Sequence, residues 1–478
     1  MEVSKHVDVL IVGAGISGVD AACRLKQRCP GKSFAILESR ARIGGTWDLF
    51  RYPGVRSDSD MYTLGFPFRP WTSDQAIVAG GDIRQYVEDT ARDIGIFDQI
   101  RFNTHVRSAS WSSADSRWVV ETDQGTYTAR FLYLASGYYD YAAGYRPEWP
   151  GEADFAGTIV HPQFWPEELD FAGKRVAVIG SGATAVTLVP AMAETAARVT
   201  MVQRSPSYIV AAPAKDGMAR WLPASLVRWK HILLTIFLFG RARRKPAKVA
   251  EWIREKTRES LPAGYPVERD FSPSYAPWDQ RLCLIPDGDL FTAMWAGKVA
   301  IATGEIERFV PEGLKLKSGE TIPADIVVSA TGLNMRLLGG IALEVDGKAV
   351  RAPDHLIYKG MMLSGVPNLF VAFGYANASW TLRSDLTARS VCRLLNRMDR
   401  LGARTATAIA PHGIGRKPVL GLTSGYVSRA AAILPGQGDR DPWQVPQHYL
   451  KDLASMSFRR IDEGLLLEFP SADSAGWG

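Results

Sequence analysis

The sequence predicts an α/β fold with two Rossmann-like dinucleotide-binding domains and a helical insertion. Two glycine-rich turns, Gly13–Gly18 and Gly180–Ala185, each follow a short apolar run typical of a buried parallel strand and precede a helical pattern. Because strand, glycine-rich turn and helix in this order form a dinucleotide-binding unit, the repeat predicts two such units.

The first unit carries an acidic residue where a ribose is usually bound. Strand Val7–Val12 leads into the turn, helix Val19–Gln27 follows it, and a second strand, Phe34–Leu37, ends at Glu38. Glu38 follows Gly18 by about 20 residues, the distance at which a carboxylate hydrogen-bonds the adenosine ribose. The turn residues that we expect beside the cofactor are Gly13, Gly15, Ser17 and Gly18.

The second unit carries a cation at the corresponding place. Strand Arg175–Ile179 precedes its turn, strand Val199–Val202 follows its helix, and Arg204 and Ser205 come soon after that strand. An arginine can pair with a ribose 2′-phosphate, so this unit is predicted to bind NADP. Its turn residues are Gly180, Ser181, Gly182, Ala183 and Thr184. Two units of opposite charge preference predict two cofactors, a flavin and a nicotinamide nucleotide.

The same patterns predict that one domain is inserted into the other. Phe131–Gly137 and Ala324–Gly332 each indicate a strand and a tight turn, and we expect the chain to cross between the domains there. The stretch from Pro411 to Gly478 has no strong periodicity, so the pattern assigns it no function. The predicted boundaries are 1–145 and 325–478 for the FAD domain, 150–325 for the NADP domain and 210–290 for the helical insertion.

Composition excludes several classes of protein. The 478 residues carry a net charge of +6, with basic residues dispersed among acidic ones, so we expect no nucleic-acid partner. The four cysteines form no C-x-x-C pair, which argues against a zinc site or a disulfide framework. We expect no metal, no secretion signal in Met1–Gly18, and a cytoplasmic location.

Residues 220–260 form a basic and apolar insertion that leaves two interpretations open. Its apolar run, Ile232–Phe239, is flanked by Arg228, Lys230 and the basic stretch 241–245. Eight residues are too few to span a bilayer, which needs about 20. The insertion is either a helix packed over the active site or an interfacial helix that makes peripheral membrane contact through 226–245.

A twelve-residue string between the two turns carries more specific information. The matched positions of this string, which runs from Phe155 to Pro166, are Phe155, Gly157, His161, Trp165 and Pro166. It resembles the fingerprint of Baeyer–Villiger monooxygenases, which are class B flavoprotein monooxygenases. Arg42–Trp47, Arg51–Asp58 and Trp278–Phe291 are similar to further segments of that family. The resemblance extends over nearly the whole chain and is greatest for the ethionamide-activating subgroup.

The resemblance implies an enzyme that contains FAD and uses NADPH and O2 to insert oxygen through a C4a-peroxyflavin. The substrate would be a small lipophilic ketone, giving an ester or lactone, or a thioether, giving a sulfoxide. It also implies which residues hold the cofactors. Those on the FAD side are Gly45, Thr46, Trp47, Asp58 and Val106, and Arg56 is on the NADP side.

Roles for individual residues follow from the same resemblance. Arg281 would stabilise negative charge on oxygen, since its guanidinium is protonated at any working pH, and Asp58 would orient it. Taken alone, an arginine such as Arg281 is more often a partner in a structural ion pair, and only the segment match makes it a catalytic candidate. His161 would couple the position of NADP⁺ to domain rotation, or be an inert histidine with satisfied hydrogen bonds. Trp380 lines the substrate pocket or packs in the core.

Two departures from the family pattern and three rival functions complete the prediction. Gln280 replaces a common lysine, which leaves Arg204 with more of the 2′-phosphate binding, and Glu167 replaces Asp or Gly, which is consistent with heteroatom oxidation. One rival, a flavin disulfide reductase, needs a cysteine pair that is absent from the sequence. The others are an N- or S-oxidising flavin monooxygenase and a redox-sensing protein without turnover. The oligomeric state is not predicted.

Overall fold

The computed structural model describes residues 5–421 and 425–470. The outermost residues of the predicted FAD domain, 1–4 and 471–478, lie outside them. Within the described residues, nine strands form a first sheet. Its path runs through Lys348–Val350, Ala342–Val345, Val106–Ser112, Arg117–Thr122, Gly125–Leu134, Lys5–Val12, Phe34–Leu37 and Ile100–Arg101, and Leu369–Val371 also pairs with Gly125–Leu134.

A second sheet has five parallel strands among the described residues. In spatial order they are Val299–Thr303, Arg198–Gln203, Arg175–Ile179, Ile326–Ser329 and Thr158–Val160. Smaller pairings surround the two sheets. They comprise a three-stranded sheet of Ile306–Val310, Gly313–Leu316 and Thr321–Pro323, and the pairs Ile209–Ala212 with Cys283–Pro286, Ile357–Tyr358 with Met362–Leu363, Thr405–Ala408 with Leu465–Glu468, and Lys417–Pro418 with Gly436–Gln437.

Helices cover the sheets and occupy the connections between them. The α-helices are Ile16–Arg28, Thr46–Leu49, Met61–Leu64, Gly80–Asp93, Ala183–Ala193, Ala224–Arg244, Pro246–Glu259, Val267–Phe271, Asp289–Trp295, Trp380–Leu401, Gly425–Ala430 and Tyr449–Phe458. Short 3-10 turns are Phe97–Gln99, Glu152–Asp154, Pro162–Phe164, Gly217–Arg220, Leu337–Gly340 and Ala352–Asp354. The combination of parallel strands and covering helices confirms the predicted α/β class.

The predicted elements of both dinucleotide units are present. Strands Phe34–Leu37 and Arg175–Ile179 have the predicted bounds. The first helix begins at Ile16, three residues earlier than expected, because it starts directly after Gly15 and includes the last residues of the glycine turn. The turn therefore belongs partly to the helix N-terminus, where backbone N–H groups are available to an anionic ligand.

Two segments carry the chain from one sheet to the other and back. The outgoing crossing contains strand Tyr139–Gly144, and the returning crossing contains strand Leu333–Met335. These strands pair with each other in antiparallel fashion, and the Tyr145 N–H donates to the Gly332 carbonyl over 3.1 Å. The two crossings therefore form one paired connection between the sheets.

The helix Ala224–Arg244, here called the insertion helix, has a packed face and an exposed face. Ile232 is buried against Tyr375 and Leu382. The exposed apolar side chains are Leu226, Trp229, Leu233, Leu234, Phe237 and Leu238. No helix in residues 5–421 and 425–470 is both long and apolar enough to cross a membrane. The helix therefore packs on the protein through one face, as the first interpretation from the sequence requires. Its other face is apolar and exposed, as the interfacial interpretation requires.

Two of the basic residues that flank the apolar run of this helix contact other parts of the protein. Arg228 is buried and donates to the carbonyls of Tyr62, at 2.6 Å, and Gly65, at 2.7 Å. Lys230 is paired with Asp216. One of the two interpretations left open, an interfacial helix with basic flanks, does not hold for Arg228, because the sequence pattern does not reveal which side of the helix packs on residues 62–65. The exposed cations lie only at the C-terminal end, over 241–245.

Close backbone packing at Gly157 gives a testable expectation for stability. A Cβ atom there would lie 2.2 Å from the carbonyl oxygen of Asp325 and 2.6 Å from the Phe155 ring. We expect Gly157→Ala to destabilise the protein by about 1–3 kcal/mol, because the backbone must shift to admit the methyl group. Thermal unfolding measures this as a lowered midpoint. Gly81→Ala, where a Cβ atom meets no neighbour within 4 Å, is the control, and equal midpoints for both variants would contradict the expectation.

Candidate active site

A cavity of about 550 Å³, here called the main cavity, opens where parallel strands of the first sheet end and helix Ala183–Ala193 of the second unit begins. Cofactors of Rossmann-like folds bind at this edge of the sheet. Residues from both predicted dinucleotide units line it together with residues from the crossing segments. The predicted site residues among its lining are Gly13, Gly15, Ser17, Glu38, Gly45, Thr46, Trp47, Arg56, Asp58, Val106, Ala183, Thr184, Arg281 and Trp380.

The first glycine turn lies directly against the end of a neighbouring strand. The Gly13 N–H donates to the Leu37 carbonyl over 2.8 Å, and a Cβ atom on Gly13 would lie 2.6 Å from the Ala135 carbonyl oxygen. A Cβ atom on Gly18 would lie 1.8 Å from the Gly13 carbonyl oxygen. Only glycine fits at these two positions, and the resulting bare backbone lets a pyrophosphate approach the helix N-terminus.

Glu38 is held at the edge of the main cavity by backbone donors. Its carboxylate accepts from the N–H of Ala14 at 2.7 Å and from the N–H of Arg40 at 2.9 Å. Burial raises the pKa of this carboxyl, while the two backbone hydrogen bonds act in the opposite direction. A carboxylate fixed beside a glycine turn fits the ribose of a dinucleotide, which is the role that the sequence predicts for it.

The second glycine turn repeats the construction of the first. The Gly180 N–H donates to the Val202 carbonyl over 2.8 Å, and a Cβ atom on Gly180 would lie 2.4 Å from the Ala330 carbonyl oxygen. The turn is closed by the Ser181 hydroxyl, which donates to the Ser205 carbonyl over 3.2 Å. Gly18, Gly180, Ser181, Gly182, Arg204 and Ser205 are not among the residues that line the main cavity.

Arg204 is exposed beyond the end of strand Arg198–Gln203. Among residues 5–421 and 425–470, no carboxylate lies within ion-pair distance of it, although Glu305 is close enough to feel its charge. A cation without a close carboxylate, beside the second glycine turn, fits the 2′-phosphate that the sequence predicts there.

Two arginine–carboxylate pairs face the main cavity. Arg281 Nη1 lies 3.1 Å from Asp58 Oδ2, and each side chain is about a third exposed, at 35% and 38%. Arg56 Nη1 lies 2.6 Å from Asp289 Oδ2. The other terminal nitrogen of Arg56, Nη2, is buried without a hydrogen-bond partner among the described residues. A buried donor that lacks an acceptor fits a site whose ligand supplies an anionic oxygen.

The fingerprint residues lie outside the main cavity, on either side of strand Thr158–Val160 at the edge of the second sheet. A Cβ atom on Gly144 would lie 2.0 Å from His161 Cε1, so the imidazole packs directly on the outgoing crossing. His161 Nδ1 accepts from the Gln163 N–H over 3.2 Å, and Gln163 Nε2 donates to the Asp140 carbonyl over 2.8 Å. Burial lowers the pKa of His161, which favours the neutral ring. Phe155 packs on Phe309, and Trp165 on Phe171.

Five tyrosines that sequence reasoning did not select also line the main cavity, among them Tyr138, Tyr141 and Tyr375. Tyr138 stacks on Trp380 with 4.8 Å between ring centroids, and Trp380 Nε1 donates to the Ser17 hydroxyl over 2.8 Å. The Tyr141 hydroxyl lies 3.4 Å from that of Thr46, and burial raises the Tyr141 pKa to about 12. The signal for Tyr138 and Tyr141 was available, because both follow strand Gly125–Leu134, and residues that follow a parallel strand end lie at the ligand edge of the sheet.

Tyr375 belongs to a buried polar network. The Tyr375 hydroxyl donates to Asp452 Oδ2 over 2.6 Å, and the same carboxylate oxygen pairs with the guanidinium of Arg383, which is fully buried. These contacts join helix Trp380–Leu401 to helix Tyr449–Phe458. The network therefore fixes one wall of the main cavity.

The described part of the chain contains neither a cluster of metal-binding side chains nor a cysteine pair beside the main cavity. Among residues 5–421 and 425–470, no cluster of three or more histidine, cysteine or acidic side chains could hold a metal ion. The cysteines Cys23, Cys29, Cys283 and Cys392 are free and buried, and none lines the main cavity. A disulfide reductase needs an exchanging cysteine pair beside its flavin, so this geometry does not support that rival.

Comparisons with known proteins agree with this geometry. Residues 10–216 match the family described as pyridine nucleotide-disulphide oxidoreductase. The FAD-containing monooxygenase EthA of Mycobacterium tuberculosis (strain ATCC 25618 / H37Rv) is 51% identical over 477 residues, which cover 97% of this chain and 98% of EthA. EthA of Mycolicibacterium smegmatis (strain ATCC 700084 / mc(2)155) is 48% identical, with 96% of each chain covered.

Solved structures share the fold at lower identity. An oxidized steroid monooxygenase bound to NADP has a TM-score of 0.78 at 22% identity and covers 98% of this chain and 100% of its own. The open crystal structure of cyclohexanone monooxygenase has a TM-score of 0.75 at 20% identity, with coverage of 97% and 100%. The relationship expected from the fingerprint is confirmed, and the chain belongs to the family of FAD-containing monooxygenases that includes EthA.

Proposed function

We propose that this monooxygenase binds FAD and NADPH and uses O2 to insert oxygen into lipophilic ketones or to oxidise thioethers to sulfoxides. The observation that carries the proposal is the Arg281–Asp58 pair, which lies in a cavity that both glycine turns approach. The named relatives are FAD-containing monooxygenases, and the neighbouring structures include a complex with FAD and NADP.

The residues of the first unit would hold FAD. Gly13 and Gly15 would meet its pyrophosphate, Glu38 its ribose, and Thr46 and Trp47 would contact the rest of the cofactor in the main cavity. A Cβ atom on Gly45 would come within 3.0 Å of Gly15 Cα. The bare backbones at these two glycines leave the cofactor groove open, which supports this assignment.

When bound, FAD supplies the redox chemistry that passes electrons from NADPH to O2. The task left to this chain is to stabilise charge on oxygen. Arg281 carries a permanent positive charge, and its planar guanidinium can donate hydrogen bonds to an oxygen that becomes negative when a substrate carbonyl is attacked. Asp58, at 3.1 Å, holds that guanidinium in the cavity as a positioning residue. The stacked rings of Tyr138 and Trp380 form an aromatic part of the cavity wall, which would limit the access of water when the cofactors are bound.

The second unit would hold NADPH. Arg204 and Ser205 follow the strand that ends beside the glycine turn, and Arg204 would pair with the 2′-phosphate. The unpartnered Nη2 atom of Arg56 would donate to an anionic oxygen of the same cofactor. His161, which packs on the outgoing crossing, would transmit the position of the nicotinamide cofactor to the connection between the sheets.

The exposed face of the insertion helix supports a further proposal, a peripheral contact with anionic lipid. Leu233 and Phe237 are 52% and 62% exposed, and the cations over 241–245 follow them on the same helix. An apolar stripe with neighbouring cations fits the interface of an anionic membrane, where apolar area and charge both contribute to binding. The protein would then be cytoplasmic and reversibly bound at the membrane surface, where lipophilic substrates accumulate.

Replacing Arg281 tests the chemical proposal. The wild-type protein with FAD, NADPH and O2 should convert members of a panel of ketones and thioethers into esters and sulfoxides. We expect Arg281→Ala to keep its FAD but to lose product formation by about 10²–10³-fold, because charge on oxygen is no longer stabilised. Arg308→Ala, whose ion pair with Asp154 lies outside the main cavity, should keep the wild-type rate. Unchanged product yield from Arg281→Ala would exclude the assigned role.

Charge reversal at Arg204 tests the choice of nicotinamide cofactor. We expect Arg204→Glu to raise the KM for NADPH by at least about tenfold and to change that for NADH much less, since only NADPH carries the 2′-phosphate. Steady-state oxidation of both cofactors measures the ratio. Arg198→Glu, at the opposite end of the same strand, is the control. An unaltered preference in Arg204→Glu would show that other residues select the cofactor.

Sedimentation with vesicles tests the lipid contact. We expect the double variant Leu233→Glu/Leu234→Glu to bind phosphatidylglycerol vesicles at least about tenfold more weakly than the wild type, because each leucine loses the 1.5–3 kcal/mol of apolar burial. Leu401→Glu changes an exposed leucine outside the insertion helix and should have no effect. Equal sedimentation of the double variant and the wild type would refute the proposed surface.

A further inference from the structure

A second cavity, of about 500 Å³, lies beneath the insertion helix. The helix forms one wall, and segments 375–382 and 447–449 form the other. The helix side is mostly apolar in its middle part. The apolar side chains that line the second cavity are Ile232, Ile236, Phe237, Phe239 and Leu382. A space of this size with such walls suits an aliphatic chain.

Unsatisfied polar atoms face this cavity from the opposite wall. Asn377 is more than nine-tenths buried, and its Oδ1 atom has no hydrogen-bond partner among the described residues. Gln447 Nε2 and His448 Nδ1 are buried without partners in the same part of the chain. Asn377 Nδ2 donates to the Gln447 carbonyl over 3.0 Å, and the Gln447 Oε1 atom accepts from the Ala376 N–H, so both amides are fixed. Buried polar atoms without partners are rare in proteins and indicate a site for a polar ligand group.

One end of the second cavity is rimmed by cations. Arg241, Arg244 and Lys245 line it, and in residues 5–421 and 425–470 no carboxylate is within ion-pair distance of any of the three. Arg243, in the same turn, is instead paired with Asp279 at 2.8 Å. Three neighbouring cations without carboxylates repel one another, so an anion at this rim would relieve that repulsion.

The second cavity adjoins the main cavity. Tyr375 and Ala378 line both spaces. From Ile232, near this shared wall, to Arg244 at the rim the helix rises about 18 Å. A ligand that fills the second cavity therefore has to be long, with one end near the cations and the other at the wall shared with the main cavity.

We propose that the second cavity binds the tail of the substrate, and that the substrate is a long-chain aliphatic carboxylate that carries its ketone or thioether group away from the carboxylate. The carboxylate binds Arg241, Arg244 and Lys245, the chain lies along Ile236 and its neighbours, and the reacting group enters the main cavity. This inference rests on the proposed function and names its substrate class.

Binding of palmitate tests the site without any turnover. In equilibrium dialysis of the FAD-loaded protein with radiolabelled palmitate and no vesicles, we expect saturable binding of about one palmitate per chain. Octanoate should bind at least about tenfold more weakly because it buries less apolar surface, and hexadecanol should bind more weakly because it lacks the charge. Absence of saturable palmitate binding, or equal affinity for octanoate, would overturn the proposal.

Variants show whether the palmitate lies in the second cavity. We expect Ile236→Trp, which fills the apolar part, and Arg244→Glu/Lys245→Glu, which reverses the rim, each to weaken binding at least about tenfold. Lys248→Glu, an exposed residue outside the lining, should bind as the wild type does. Leu233→Glu, on the exposed face of the same helix, should also bind normally. Full palmitate affinity in both cavity variants would place the ligand elsewhere and overturn the proposal.

Turnover of a short neutral substrate separates this inference from the proposed function. Ile236→Trp should raise the KM for a long-chain keto acid at least about tenfold more than it raises the KM for a small ketone or thioether. Such a selective rise supports the inference. Equal KM values for the long substrate in both proteins would refute it, even though turnover of small substrates continued. Palmitate binding without oxidation of any substrate would instead refute the proposed function alone.

Discussion

Each glycine turn packs against a backbone carbonyl at the end of another strand. In both units this is the strand after which the chain leaves the sheet. The carbonyl of Ala135 lies under Gly13 and that of Ala330 under Gly180, at positions where a Cβ atom would come within 2.6 Å and 2.4 Å. The two crossings begin directly after these alanines. Since the crossings pair with each other, the turns and the connection between the sheets cannot be placed independently. The main cavity is the space that this arrangement leaves.

Local features of the site were accessible from the sequence. Strands, glycine turns and the residues that follow them are set by contacts within about 40 residues, which is why Glu38 and Arg204 could be assigned to their strand ends. Tyr375 and the second cavity could not be found in this way, because they depend on segments brought together from three distant parts of the chain. The proximity of Arg281 to Asp58 was expected only from resemblance to the family, since 222 residues separate them in sequence.

Arg228 shows a different limit of sequence reasoning. Its neighbours are apolar or basic, so the pattern left open a cation on a membrane-facing surface. In the structure its guanidinium donates instead to backbone carbonyls near helix Met61–Leu64. The sequence does not distinguish a buried arginine from an exposed one. In the structure, the carbonyls that accept from Arg228 account for its burial. The insertion helix is thereby tied to the FAD-side core at its N-terminal half, which leaves its C-terminal half to form the cavity rim.

The buried Arg383–Asp452–Tyr375 network has a consequence for how this enzyme could change over evolutionary time. Loss of one partner from a buried ion pair leaves an uncompensated charge and costs about 3–5 kcal/mol, a large part of the stability of a folded domain. Mutations at Arg383 or Asp452, which hold Tyr375 in place, should therefore be selected against for reasons unrelated to catalysis. Diversification of substrate range should accumulate on the opposite, apolar wall, where single side chains can be exchanged at little cost to folding.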